Sequence, residues 1–297
     1  SEGRLLFDGV DVPEHTTADR NIAQVFQFPV IYGTMTVQDN LAFPLVCRGY
    51  DKAFIKAKVA EVSEALNLED LLTQSANKLT ADQKQLISLG RGLVRDNVAA
   101  VLMDEPLTVI DPDLKFRLRR KLKEINQKYR STLIYVTHDQ NEAMTFAENI
   151  IVMDQGNIVQ AGTPSELFDR PKTTFVGYFI GAPAMNLFAC SAVNNTTISF
   201  GGAEIVTDTN LEAVASKNLK LGIRSEYIKL ATASTENTVS AKVQRVEDLG
   251  NHKLVTADFQ GQSIKVKVKR EQELPAENVF LTIPAQHCCV YENEHLI

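Results

Sequence analysis

Three short apolar runs in this chain each stop on polar residues. Asn21-Ile22-Ala23-Gln24-Val25-Phe26 runs into Gln27, Ala99-Ala100-Val101-Leu102-Met103 into Asp104-Glu105, and Thr132-Leu133-Ile134-Tyr135-Val136 into Thr137-His138. Runs this apolar, separated by segments of helical spacing, are expected to be buried strands of a largely parallel sheet, because helices covering both faces leave no polar side. Open sheets of that kind bind ligands at the carboxyl ends of their strands. The expectation is an α/β domain over residues 1–182 whose working edge carries Gln27, Asp104, Glu105 and His138.

Between the first two runs, residues 36–95 carry helical spacing in AFIKAKVAEVSEALNL and DQKQLISLGRGLV, so a helical subdomain is expected there. Ile150-Ile151-Val152-Met153 adds a strand, and Asp154-Gln155-Gly156-Asn157 a hairpin turn into Ile158-Val159-Gln160. Over residues 183–297 the character changes to β. Ser263-Ile264-Lys265-Val266-Lys267-Val268-Lys269 alternates strictly, with turn signals at Asn194-Asn195, Gly201-Gly202, Gly250-Asn251 and Gly261, so a small barrel or sandwich is expected.

The polar strand ends suit phosphate chemistry. The first acid, Asp104, is of a type to hold Mg²⁺, and the second, Glu105, to orient or deprotonate an attacking water. Glutamine ligates Mg²⁺ or positions water, and histidine donates to charge developing on a γ-phosphate. Taken singly, the two acids would cap the next helix and the histidine would be locally satisfied. Their convergence at one sheet edge favours a site.

Composition narrows the partners. With 31 basic and 37 acidic residues the net charge is −6, which gives no support to nucleic acid. The lysines at 265, 267 and 269 are expected to form a solvated edge strand. Four cysteines contain no CxxC pair, so free thiols in a reducing cytosol are expected, and His287-Cys288-Cys289 with His295 should be strand packing. No signal peptide pattern opens the sequence. The uncharged stretch from Phe175 to Val193 has the length of a membrane span, but Gly177, Gly181, Pro183 and Asn186 punctuate it. A junction between domains is the expectation.

The order of motifs resembles an ABC-transporter ATPase subunit. Gln27, then Leu79-Thr80-Ala81-Asp82-Gln83, then VLMDEP, then Asp111 in TVIDPD, then His138 in YVTHDQNEAM correspond to its Q-loop, signature, Walker B, D-loop and H-loop. MTVQDNLAFPL, GRGLVRD, MDQGNIVQAGTPSELFDRP and FIGAPAMN extend the likeness to importer subunits of the carbohydrate, glycerol and glycerol-phosphate type. Gly222-Ile223-Arg224-Ser225-Glu226 is similar to the GIRPE motif of their C-terminal domain, with Ser225 where proline is usual. The resemblance implies a P-loop-NTPase-like domain with a helical subdomain, followed by an OB-like (TOBE/MOI) all-β regulatory domain. It implies ATP and Mg²⁺, with Asp104 and Gln27 toward the metal, and Glu105, His138 and Gln27 in catalysis. Leu79, Thr80, Ala81, Asp82, Gln83 and Asp111 would face the ATP of a second ATPase subunit, identical or not. Phe28 to Thr36 would dock transmembrane permease subunits, placing the protein peripherally on the inner face of the membrane. The transported solute would be a sugar, glycerol or a related polyol.

Two features depart from the family. Its phosphate cradle, GxxxxGK(S/T), occurs nowhere in the 297 residues, and by family spacing it would fall before Ser1. The expectation is a nucleotide domain lacking its first strands, with an isolated chain that does not hydrolyse ATP. The signature, usually LSGGQ, is here LTADQ, in which Thr80-x-x-Gln83 forms a capping box and Asp82 favours a helix N-terminus. The alternative is a non-catalytic regulatory or scaffold paralogue.

Overall fold

The computed structural model describes residues 3–297 other than 13, 17, 96–97, 130–131, 213, 215–217 and 275–276. Two compact units emerge, Ser1–Glu142 and Ala143–Ile297.

In the first unit, β1 (Leu6–Phe7) and β2 (Val10–Asp11) form a small antiparallel ribbon. Then come β3 (Ile22–Val25), α1 (Val37–Val46), α2 (Lys52–Leu66), α3 (Ala81–Leu93), β4 (Ala100–Asp104), α4 (Pro112–Tyr129) and β5 (Leu133–Val136), and the division falls within α5 (Gln140–Phe146). The three apolar runs form one parallel sheet in the order β3-β4-β5, with Val25 opposite Met103 and Asp104 opposite Val136. That register brings the three carboxyl ends level. Helices α1 to α3 occupy the expected insertion, and each start follows from a cap. Thr36 and Asp39 form a reciprocal box on α1, and Asp51 accepts from the Phe54 N–H at 2.9 Å on α2. Asn67, at φ +53°, ends α2 in the left-handed conformation asparagine tolerates. Val25, Leu41, Leu45, Leu66, Ile87, Leu89, Met103 and Leu122 are among the buried side chains of this unit. Gly90 permits close packing, since a Cβ there would stand 2.5 Å from a Leu41 methyl.

The second unit opens with the hairpin β6 (Ile150–Asp154) and β7 (Asn157–Gly162), turned by Gln155 at φ +47° and Gly156 at φ +80°. Two short helices, α6 (Pro164–Asp169) and α7 (Thr174–Phe179), follow. The strands are then β8 (Asn186–Ala192), β9 (Thr197–Phe200), β10 (Ala203–Val206), β11 (Leu219–Ile223), β12 (Lys229–Ala231), β13 (Thr238–Asp248), β14 (His252–Phe259), β15 (Gln262–Lys269), β16 (Asn278–Thr282), β17 (Cys289–Glu292) and β18 (His295–Leu296). They pair as two sheets, β10-β9-β8-β11-β17-β18 and β12-β16-β13-β14-β15, sharing a core that includes Phe188, Phe200, Ile223, Val255, Val266 and Leu281. The alternation read at Ser263–Lys269 holds: Ile264, Val266 and Val268 are buried, and β15 is an edge strand. Its outer backbone is covered, because the Lys265 N–H donates to Asn186 Oδ1 at 2.8 Å and the Lys267 N–H to the Ser225 carbonyl at 3.0 Å.

Residues 143–182 pack within the second unit. Arg224, 1% exposed, donates from Nε to the Phe168 carbonyl at 2.9 Å and from Nη1 to the Gly177 carbonyl at 2.8 Å and to the Ile180 carbonyl. Its guanidinium lies 4.4 Å from the centre of the Phe168 ring. Tyr227 stacks on His287 at 3.8 Å, Cys288 donates to the Pro284 carbonyl, and Cys289 packs beside Met185 and Tyr291, so these side chains serve packing. The uncharged stretch at 175–193 resolves into α7, a turn at Gly181 and β8. Among the described residues no helix is long and apolar enough to cross a membrane.

Candidate functional site

Glu105 is the first residue beyond β4, and its backbone turns left-handed at φ +44°. For a glutamate this conformation is unfavourable by about 1–2 kcal/mol. It is fixed by the Glu105 N–H, which donates to the Val136 carbonyl at 2.9 Å, and it swings the carboxylate across the sheet edge. Three side chains meet that carboxylate. His138 Nδ1 lies 2.8 Å from Oε1, while Gln27 Nε2 donates to Oε2 at 3.1 Å and the Thr108 hydroxyl to Oε2 at 3.2 Å. The ends of β3, β4 and β5 thus converge on one acid. Asp104, at the last position of β4, is exposed beside it.

The hydrogen bond and charge of His138 hold the Glu105 carboxyl below the usual carboxylate range, and the same contact raises the His138 imidazole. Both groups are solvent-accessible, so the stabilisation is modest and salt-sensitive. The signs follow from linkage. The raised histidine contributes below its unfolded value and is lost as pH rises through its folded value. The depressed glutamate contributes above its unfolded value and is lost as pH falls through its folded one. An NMR titration is expected to place the His138 midpoint above that of an ordinary imidazole and to return it toward ordinary in Glu105→Gln. A midpoint unmoved by that substitution would show that the pair does not form.

Glu142, which the sequence did not single out, engages the residues that lead into His138. The hydroxyls of Tyr135 and Thr137 donate to Glu142 Oε2 at 2.8 and 3.0 Å, and Lys115 and Arg119 of α4 lie 3.9 Å from Oε1. Burial and the Glu142 hydrogen bond push the Tyr135 phenol well above its ordinary value, so it remains a donor. The available signal was an acid one helical turn after the histidine.

The signature segment starts α3. The Thr80 N–H donates to Gln83 Oε1 at 3.1 Å, the Thr80 hydroxyl donates to the Asp82 carboxylate, and Ala81 is exposed. The Leu79 side chain is buried. Asp111 is exposed ahead of α4 and accepts from the Asp113 N–H at 3.0 Å. Neither segment makes a described contact with the Glu105 cluster.

After Gln27 the chain presents apolar groups outward: Phe28 is 72% exposed, Val30 51% and Tyr32 42%. Their backbone is nevertheless fixed. The Val30 N–H donates to the Ser88 hydroxyl at 3.2 Å, the Tyr32 N–H donates to Asn40 Oδ1 at 2.8 Å, and the Arg91 guanidinium lies 4.5 Å over the Tyr32 ring. An ordered loop carrying exposed apolar side chains suits a protein contact.

The donors Gln27, Asp104 and Glu105 are all oxygen-bearing, as Mg²⁺ requires. Among the described residues no cluster of three or more His, Cys, Asp or Glu side chains could hold a metal. That set fits an ion held by one or two protein oxygens with phosphates and water completing its shell.

The ABC transporter family model matches residues 1–108, and the TOBE domain model matches residues 221–290. The sn-glycerol-3-phosphate import ATP-binding protein UgpC of Vibrio cholerae is 37% identical over 285 residues, covering 96% of this chain and 76% of that protein. Its Yersinia enterocolitica counterpart is 35% identical, covering 99% and 83%. Among solved structures, CbiO1 from Clostridium perfringens, part of the ABC transporter complex CbiONQ, aligns with a TM-score of 0.51. At 24% identity over 57% of this chain and 69% of that one, it shows likeness of fold.

Proposed function

The chain belongs to the ATP-binding proteins of ABC transporters, and on that premise we propose that it couples ATP hydrolysis to import of a glycerol phosphate, glycerol or related solute. The convergence of Gln27, Glu105 and His138 carries the proposal. In the assembled site Asp104 and Gln27 would hold Mg²⁺, which supplies charge neutralisation at the phosphates. Glu105, held ionised by His138, accepts a hydrogen bond from the attacking water and orients it. His138 offers a proton-bearing nitrogen to the γ-phosphate as charge develops there. Thr80, Asp82, Gln83 and Asp111 lie on segments suited to complete the site of a second ATPase subunit, and Phe28 to Thr36 docks a permease subunit on the inner face of the membrane.

The test is solute uptake in membrane vesicles carrying cognate permease subunits, with the chain preceded by a GxxxxGK(S/T) segment. ATP-dependent uptake of sn-glycerol 3-phosphate or glycerol is expected, and Glu105→Gln should abolish it. Uptake that survives this substitution would overturn the assignment. One observation favours a non-catalytic paralogue: the Thr80 hydroxyl is already engaged by Asp82. In that case uptake would depend on the chain's presence and be indifferent to Glu105.

A further inference from the structure

Gln85 lies in the second turn of α3 and is fully buried, yet its side-chain amide serves two other segments. Its Nε2 donates to the Phe26 carbonyl at 3.0 Å and to the Pro106 carbonyl at 2.9 Å. Both acceptors are carbonyls, which fixes the orientation of the amide: only the nitrogen can face them. The Oε1 atom is left without a partner among the described residues. Burying an orphan acceptor is unfavourable, and an apolar side chain of the same length would avoid it.

What the amide gains is position. Phe26 immediately precedes Gln27, and Pro106 immediately follows Glu105. The same helical face meets β3 and its loop twice more. Ser88 accepts from the Val30 N–H at 3.2 Å, and Gly92 admits Val25, whose Cγ2 would lie 2.9 Å from a Cβ there. Residues 85, 88 and 92 share one stripe of the helix, so α3 bears on β3 and its loop as a single rigid element.

We propose that Gln85 is a positioning residue, pinning the backbones that carry Gln27 and Glu105 to the helix that begins at Thr80. A displacement of α3 at its signature end then moves both side chains together, and coupling runs through two hydrogen bonds on one amide. The inference rests on the cluster described above being the reactive site. Its test uses no nucleotide, so a failure of ATP-coupled transport and a failure of the pin would be told apart.

The experiment is NMR on the full chain. In the unsubstituted protein, couplings across hydrogen bonds are expected from the Gln85 side-chain nitrogen to the carbonyl carbons of Phe26 and Pro106. Their absence would overturn the proposal whether or not any variant folds. In Gln85→Met, which keeps length and volume, the Glu105 amide should exchange about tenfold faster or more. The Gln27 side-chain amide should move toward its solvent-exposed shift. Leu102 in β4 and Leu89 in α3 should change by less than about threefold. Uniform acceleration across the unit, or an unchanged Glu105 amide, would reduce Gln85 to packing and overturn the positioning role.

Discussion

Mg-ATP is expected to bind these 297 residues more than about a thousandfold more weakly than it binds the same residues preceded by a GxxxxGK(S/T) segment. In the function proposed above, the groups gathered at the sheet edge act on a phosphate already held in place, and they do not hold it. Glu105 and Asp104 are carboxylates that repel phosphate oxygens unless a cation intervenes, and the proton of His138 is shared with Glu105. A phosphate cradle contributes three or four backbone N–H donors and a lysine. At about 1.5–3 kcal/mol for each hydrogen bond to a charged group, their combined contribution exceeds about 5 kcal/mol. At 1.4 kcal/mol per tenfold, that is more than about three powers of ten. Titration of a fluorescent ATP analogue into both proteins measures the difference directly. Micromolar affinity in the 297 residues alone would mean that phosphates are gripped by groups other than those identified, and the assignment of the strand ends would fail with it.

The strands were legible because each is a short, almost wholly apolar run, and α2 and α3 because their apolar residues recur at helical spacing. Coverage was not legible. Ile134 and Val136 of β5 read as buried from sequence, yet they are 51% and 54% exposed, because an apolar strand has the same composition whether or not a layer packs on it. The sequence placed Gln27, Glu105 and His138 at neighbouring strand ends, where the structure brings them together, but it did not show that Glu105 is the hub. That depends on its left-handed backbone, which no spacing rule predicts for a glutamate. Gln85 and Glu142 escaped for a related reason. A glutamine inside DQKQLISLG looks like part of a solvated helix face, and only contacts spanning 59 and 21 residues reveal that it is buried. Thr80 shows the limit of a local motif: its N–H finds Gln83 as the capping box requires, while its hydroxyl also engages Asp82.

Arg224 invites the largest stability test, because its burial runs against the usual behaviour of arginine. Burial lowers its pKa, but a guanidinium starts so high that it stays protonated, so a full charge sits in the interior of the second unit. Its partners are three main-chain carbonyls, and two of them, Gly177 and Ile180, lie at the carboxyl end of α7, where the helix dipole is negative. Replacing it with methionine removes the charge at similar volume, but takes the donor from the Phe168 and Ile180 carbonyls at about 1–3 kcal/mol each, while the Gly177 carbonyl keeps the Met185 N–H at 3.2 Å. Relief of the buried guanidinium's own desolvation offsets part of that loss. A net destabilisation of about 3 kcal/mol is expected for Arg224→Met, or roughly 10 °C in Tm for a unit of this size. Arg224→Lys keeps the charge without the planar fork and should fall between the two. Calorimetry of the three proteins decides the matter. If Arg224→Met melts with the unsubstituted chain, the carbonyl contacts do not hold residues 168–180 to the β-sheets, and the compactness of the second unit needs another cause.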